Sequence, residues 1–118
     1  MKNILNSAYF RGLKPQSRMM LPEWSDKNRI LSSKSSESPG PWRTDKTPYL
    51  RKIMECLSTS SPIEQIVFMK SSQVGATEIG NNFLGYVIHH APGPLLYVMP
   101  TIEAAKKTSK QRIAPMIE

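Results

Sequence analysis

The sequence predicts an α/β fold: parallel strands of an incomplete sheet, preceded by an irregular, partly helical arm. Three observations carry this. Two short apolar runs, Gln65–Met69 (QIVFM) and Leu95–Met99 (LLYVM), are continuous rather than alternating, as strands buried on both faces are. Between them Ile79, Phe83, Leu84, Val87 and Ile88 recur at helical spacing, so the three pieces read as a βαβ unit with a right-handed crossover. Ahead of them, residues 1–48 show no sustained period and pass through SSKSSESPGPWRTDKTP.

Taken in order, short helical pieces are expected near Ile4–Leu13 and Pro22–Leu31. Pro39, Gly40, Pro41 and Pro48 then break any regular element, which makes this stretch an extended arm or linker. Trp24 and Trp42 are expected to dock the arm by plain surface packing. Tyr49, Leu50, Ile53, Met54 and Leu57 mark the next helix, with Thr47 as N-cap and Pro48 at its first position. The polar loop KSSQVGATE follows the first strand. The helix after it ends near His89-His90, ahead of Ala91-Pro92-Gly93-Pro94. A third helix runs from Ile102 to about Arg112, capped by Thr101, with Glu103 in its first turn and Pro115 limiting its far end. Domain organisation is therefore 1–48 as arm or linker and 49–118 as the first part of an α/β domain. Two strands do not complete a parallel sheet, so the chain is expected to be the front of a larger domain, cut short.

Composition bounds the function. The chain has 118 residues and a formal charge of +7, from 16 Lys+Arg and 9 Asp+Glu. The excess lies mainly in residues 1–48 and is spread out, so it favours polyanionic partners only weakly and is equally a solvated basic surface. No stretch approaches the roughly 20 apolar residues that span a bilayer. No apolar core of a secretory signal opens the sequence. Cys56 is a single cysteine, and no Cys/His cluster has zinc spacing. A cytoplasmic, non-membrane location is expected.

Chemistry is expected at the junction between the first strand and its helix. A loop that opens a helix aims several backbone N–H groups at an anion, and the helix dipole adds about half a positive charge there. The phosphate-binding pattern G-x-x-x-x-G-K-[ST] falls on Lys70-Ser71-Ser72-Gln73-Val74-Gly75-Ala76-Thr77. Gly75 supplies the second glycine and Thr77 the hydroxyl that would hold Mg²⁺. The first glycine is replaced by Lys70 and the usual lysine by Ala76. The parts are thus present with the cation moved upstream. Each also has an ordinary reading: a turn glycine, a capping threonine, a solvated lysine at a strand end.

Other clusters read as structural. Adjacent His89 and His90 point in different directions and suit the helix C-terminal dipole better than one metal. Lys106, Lys107, Lys110 and Arg112 form a basic helix face, better read as solvated than as DNA-binding.

These residues also carry a resemblance. The string W-x-D-x-x-R-x-L at Trp24–Leu31, the arm SSESPGPWRT and the lysine-first loop resemble the N-terminal part of phage terminase large subunits of the lambda-like GpA group, over about Leu21–Glu118. The resemblance implies a P-loop (RecA-like, ASCE) ATPase core, ATP and Mg²⁺ as cofactors, and ATP-driven packaging of DNA. It implies double-stranded DNA, a small terminase subunit and the portal of the procapsid as partners, in the host cytoplasm. Family members also carry a separate endonuclease domain.

Carried over by residue, Lys70 would neutralise the β- and γ-phosphates, and Ser71, Ser72, Gln73, Val74, Gly75 and Ala76 would wrap them. Thr77 would hold the metal, and Glu78 would border the nucleotide. Tyr49 matches an aromatic position expected against adenine, where its ordinary reading is a half-buried helix residue. Many relatives carry Gln at the next position, and this chain has Leu50. No apolar strand ending in an acidic pair is present, so the general base and metal carboxylate of hydrolysis are not encoded. No catalytic residue is assigned, and no turnover by the chain alone is expected. The alternative from another class is a small basic DNA- or protein-binding module without nucleotide binding.

Overall fold

The computed structural model describes residues 1–15, 17–33 and 36–118. The Lys34-Ser35 part of the arm lies outside the described residues. Helix α1 spans Lys2–Leu13 and buries none of its side chains. Helix α2 covers Leu21–Asn28, with a proline in its first turn, where no backbone N–H is missed. Two-residue strands β1 (Ile30–Leu31) and β2 (Gly40–Pro41) pair antiparallel, with Ile30 opposite Pro41 and Leu31 opposite Gly40. A 3-10 turn at Thr44–Lys46 leads into α3 (Pro48–Cys56). Helix α4 runs Ala76–His89 and α5 runs Ile102–Thr108. A wide π turn, Ser109–Ile113, joins α5 to α6 (Ala114–Ile117).

The core lies where α2 and α3 pack on α4. Leu21 and Trp24 come from α2, Leu50 and Met54 from α3, Ile79 and Tyr86 from α4, and all are buried. The spacing i, i+4 on α3 and i, i+7 on α4 puts each pair on one helix face. Polar atoms close this core. The Tyr86 hydroxyl donates to the Met19 carbonyl at 2.7 Å, and the Leu21 N–H donates to Ser58 Oγ at 2.8 Å. Trp24 stands edge-on to Tyr86, at 6.1 Å and 78°.

The arm is a clasp. Trp24 and Trp42 are 5% and 7% exposed, so both belong to the core rather than to surface packing. The Trp42 indole N–H donates to Thr44 Oγ1, and both the N–H and the hydroxyl of Thr44 donate to Asp26 Oδ1, at 2.7 and 2.9 Å. These bonds tie the β2 turn back to α2. Buried side chains on either side of residue 48 share one cluster.

Three local expectations need correction. Thr47 occupies the N-cap of α3, but its hydroxyl makes no cap bond and is buried without a partner. Pro115 does not stop the last helix: the π turn resets the path, and Pro115 falls in the first turn of α6, where its missing N–H costs nothing. The runs Gln65–Met69 and Leu95–Met99 carry no ladder, and the sheet formed among the described residues is the antiparallel β1–β2 pair. Val67 and Met69 are 84% and 96% exposed, Leu96 and Val98 86% and 76%. A strand needs a hydrogen-bonding neighbour, and neither run supplies one to the other.

Gly85 shows how tightly α2 lies on α4. A Cβ there would stand 2.7 Å from Trp24 Cη2 and 3.6 Å from Met116 Sδ. A ring wedged in a core yields little, so Gly85→Ala is expected to cost about 1–3 kcal/mol, as overpacking does. Urea denaturation measures this. In a Trp24→Ala background the same substitution should cost almost nothing, because the obstructing ring is gone.

Candidate functional site

Gly75 is the N-cap of α4 and adopts φ 84° and ψ 4°, a left-handed conformation that favours glycine. Space there also selects glycine, since a Cβ would come within 3.2 Å of Leu50 Cδ1. Two residues earlier Gln73 has φ 55°. Positive φ on either side of Val74 is the alternation of hand that curls successive N–H groups into one concavity. The Ala76 and Thr77 N–H groups at the start of α4 make no hydrogen bond among the described residues. The Gly75 carbonyl accepts from the Glu78 and Ile79 N–H groups, at 3.1 and 3.2 Å.

Around this turn the structure places the other expected residues. Ser71, Ser72 and Gln73 are exposed, and Val74 and Ala76 are half-buried. Tyr49, at the start of α3, donates its hydroxyl to the Val74 carbonyl at 3.2 Å, which pins the turn to α3 and leaves the ring 59% exposed. Thr77 is exposed and lines a cavity of about 420 Å³ with Gln73, Gly75 and Glu78. Lys70 is exposed and makes no hydrogen bond or ion pair among the described residues. Its ammonium is therefore uncommitted.

Glu78 is heavily committed. Its Oε2 takes Arg29 Nη2 at 3.1 Å, and its Oε1 takes Arg112 Nη1 at 2.8 Å. Asn81 Nδ2 also reaches Oε1, at 3.4 Å. Arg29 is the arginine of the Trp24–Leu31 string; its Nε donates to Asn82 Oδ1 and its Nη1 to the Ile30 carbonyl. Burial pushes the Arg29 guanidinium below its ordinary value, and the charge of Glu78 and a hydrogen bond to it oppose that push. So the arm, α4 and the segment after α5 meet at one carboxylate next to the turn. Sequence reading placed Arg29 in a motif and Arg112 on a basic face, without pairing either with Glu78. The partners lie 49 and 34 residues away, beyond any local period.

The two histidines are packing residues. A tryptophan N–H can only donate, so the 3.0 Å contact from Trp24 Nε1 makes His89 Nδ1 an acceptor. His90 lies over Tyr86 at 5.2 Å. Among the described residues no group of three or more His, Cys, Asp or Glu could hold a metal ion. No helix there is long and apolar enough to cross a membrane.

The turn thus combines a left-handed Gly75 at the N-cap of α4 with the exposed hydroxyl of Thr77. The family model described as phage terminase large subunit gpA, ATPase domain, matches residues 36–118. The chain belongs to that family, and so to the ATPase part of the phage DNA-packaging motor. No curated protein and no solved structure matches it.

Proposed function

We propose that the turn from Lys70 to Thr77 binds the triphosphate of ATP with Mg²⁺, as the nucleotide-holding half of the motor that drives DNA into a capsid. The observation that carries this reading is the left-handed Gly75 at the N-cap of a 14-residue helix, behind a second positive-φ residue. Backbone N–H groups of residues 73–77 cradle the phosphates, and the uncommitted Lys70 neutralises their charge. Thr77 suits Mg²⁺, which keeps several waters and takes few protein ligands beside the phosphates. Tyr49 presents an exposed ring beside the turn, where adenine would stack.

The remaining assignments follow from the same reading. The exposed runs Gln65–Met69 and Leu95–Met99, which carry no ladder here, would become strands of a parallel P-loop sheet once pairing neighbours cover them, since exposed apolar runs of that kind demand cover. Residues 1–48 act as an arm clasped on the nucleotide-bearing part, 49–118. Double-stranded DNA, the small terminase subunit and the portal are the partners, in the host cytoplasm. Turnover by this chain alone is not expected, because among the described residues no acidic pair stands at the end of an apolar strand to activate water.

Calorimetric titration with Mg·ATP tests the reading. The chain should bind, Lys70→Ala should weaken binding by at least about tenfold, the scale of a charge-assisted contact, and neither should hydrolyse ATP. Salt-dependent DNA binding untouched by Lys70→Ala, with no nucleotide binding, would establish the basic binding module instead.

A further inference from the structure

Resting on the reading above, we infer that Arg112 is a second phosphate-binding cation of the site, held at the mouth of the turn by Glu78 and selective for a terminal phosphate. Arg112 lies in the π turn after α5, far from the loop in sequence, yet it lines the same cavity as Gly75 and Thr77. It also lines a second cavity, of about 350 Å³, with Thr77, Lys107 and Gln111. Thr77 and Arg112 thus form the wall common to both. Wide turns of this kind recur at functional sites because they re-aim side chains out of the regular helical path.

The charges explain the arrangement. Glu78 stands one residue after Thr77, in the first turn of α4, where a lone carboxylate would repel a polyphosphate. Arg29 and Arg112 surround it, and they differ in burial: the Arg29 side chain is 4% exposed and that of Arg112 38%. Arg29 is locked inside by Asn82 and the Ile30 carbonyl as well as by Glu78. Arg112 has one recorded partner, Glu78, through Nη1. A guanidinium carries five N–H donors in a rigid fork, so Nη2 and Nε stay available to the cavity. Glu78 then serves as an anchor that fixes the fork, and Arg112 presents its remaining donors to an oxyanion. Glu37 also lines the cavity and repels anions, so an oxyanion is favoured where it meets the Arg112 donors.

An ordinary P-loop places its lysine inside the turn, and this chain has Ala76 there. Lys70 would enter from the loop's upstream end, and Arg112 supplies a second charge from the segment after α5. The terminal phosphate carries the most negative charge of the chain and is drawn most strongly to the guanidinium, so Arg112 separates triphosphate from diphosphate.

The test is calorimetric titration of the full chain and of Arg112→Ala, Arg112→Lys and Lys70→Ala with Mg·ATP, Mg·ADP and inorganic phosphate. Arg112→Ala should lower ATP affinity about tenfold or more, the scale of a charge-assisted hydrogen bond, and ADP affinity less than about threefold. Arg112→Lys should recover part of the ATP affinity. Melting should show the fold retained, because the Arg29–Glu78 pair remains. Equal losses for ATP and ADP, or no loss, would overturn the inference while leaving the nucleotide site standing if Lys70→Ala still weakens binding about tenfold or more. Absence of nucleotide binding by the unaltered chain would overturn both.

Discussion

Glu78→Ala should lower the unfolding free energy of the chain by about 3–5 kcal/mol, the cost of stranding one partner of a buried ion pair. Arg29 is sealed between α2 and α4, and Glu78 is the carboxylate that offsets its charge. The same substitution frees Arg112 and removes an acceptor from Asn81, whose Oδ1 already lacks a partner. Glu78→Gln keeps the shape and one acceptor, so it should cost less, yet it still leaves the guanidinium uncompensated. The contrasting case is Arg51 with Asp45, at 2.9 Å but with side chains 42% and 89% exposed. Solvent screens that pair, and Asp45→Ala should change stability by less than about 1 kcal/mol. Urea midpoints for the three variants measure the difference. A Glu78→Ala protein as stable as the parent would mean that Arg29 finds water or another acceptor, and that the arm is not locked by charge.

Trp24→Ala should be as severe, about 3–5 kcal/mol for deleting a buried indole. The ring meets Tyr86 edge-on, fills the space above Gly85 and donates to His89. Its loss opens a cavity and leaves His89 Nδ1 without its donor. A domain of this size has only about 5–15 kcal/mol to lose, so the variant should populate unfolded states at ambient temperature. Near-ultraviolet circular dichroism and proteolysis report this. A loss confined to the first 48 residues would show that α2 peels off while α3 and α4 stay folded.

These two predictions also show what could be read from residues alone. The helices α3, α4 and α5 follow from apolar spacing and from Thr101, whose hydroxyl accepts from the Ala104 N–H at 3.1 Å. The special backbone at Gly75 was legible because a glycine stood between an apolar run and an amphipathic pattern. Burial of Trp24 and Trp42 was not, because Trp24 makes its contacts with α4, far downstream, and Trp42 is held by Thr44 and the Arg29 carbonyl in a stretch whose Pro and Ser content reads as a linker. The apolar runs announce burial but not the identity of the pairing neighbour, and pairing is what makes a strand. Pro115 read as a stop because a π turn has no sequence signature that places it. The Glu78 cluster was hidden for the same reason as the tryptophans: charge pairing over tens of residues leaves no period.

The most direct test follows the backbone amides of the labelled chain by nuclear magnetic resonance during titration with Mg·ATP. The largest shifts should fall on Gln73, Val74, Gly75, Ala76 and Thr77, and should need at least about tenfold more Mg·ATP in Lys70→Ala. Shifts confined to the lysines of α5, or no saturable shift at those five amides, would contradict the assignment of this turn as a triphosphate cradle.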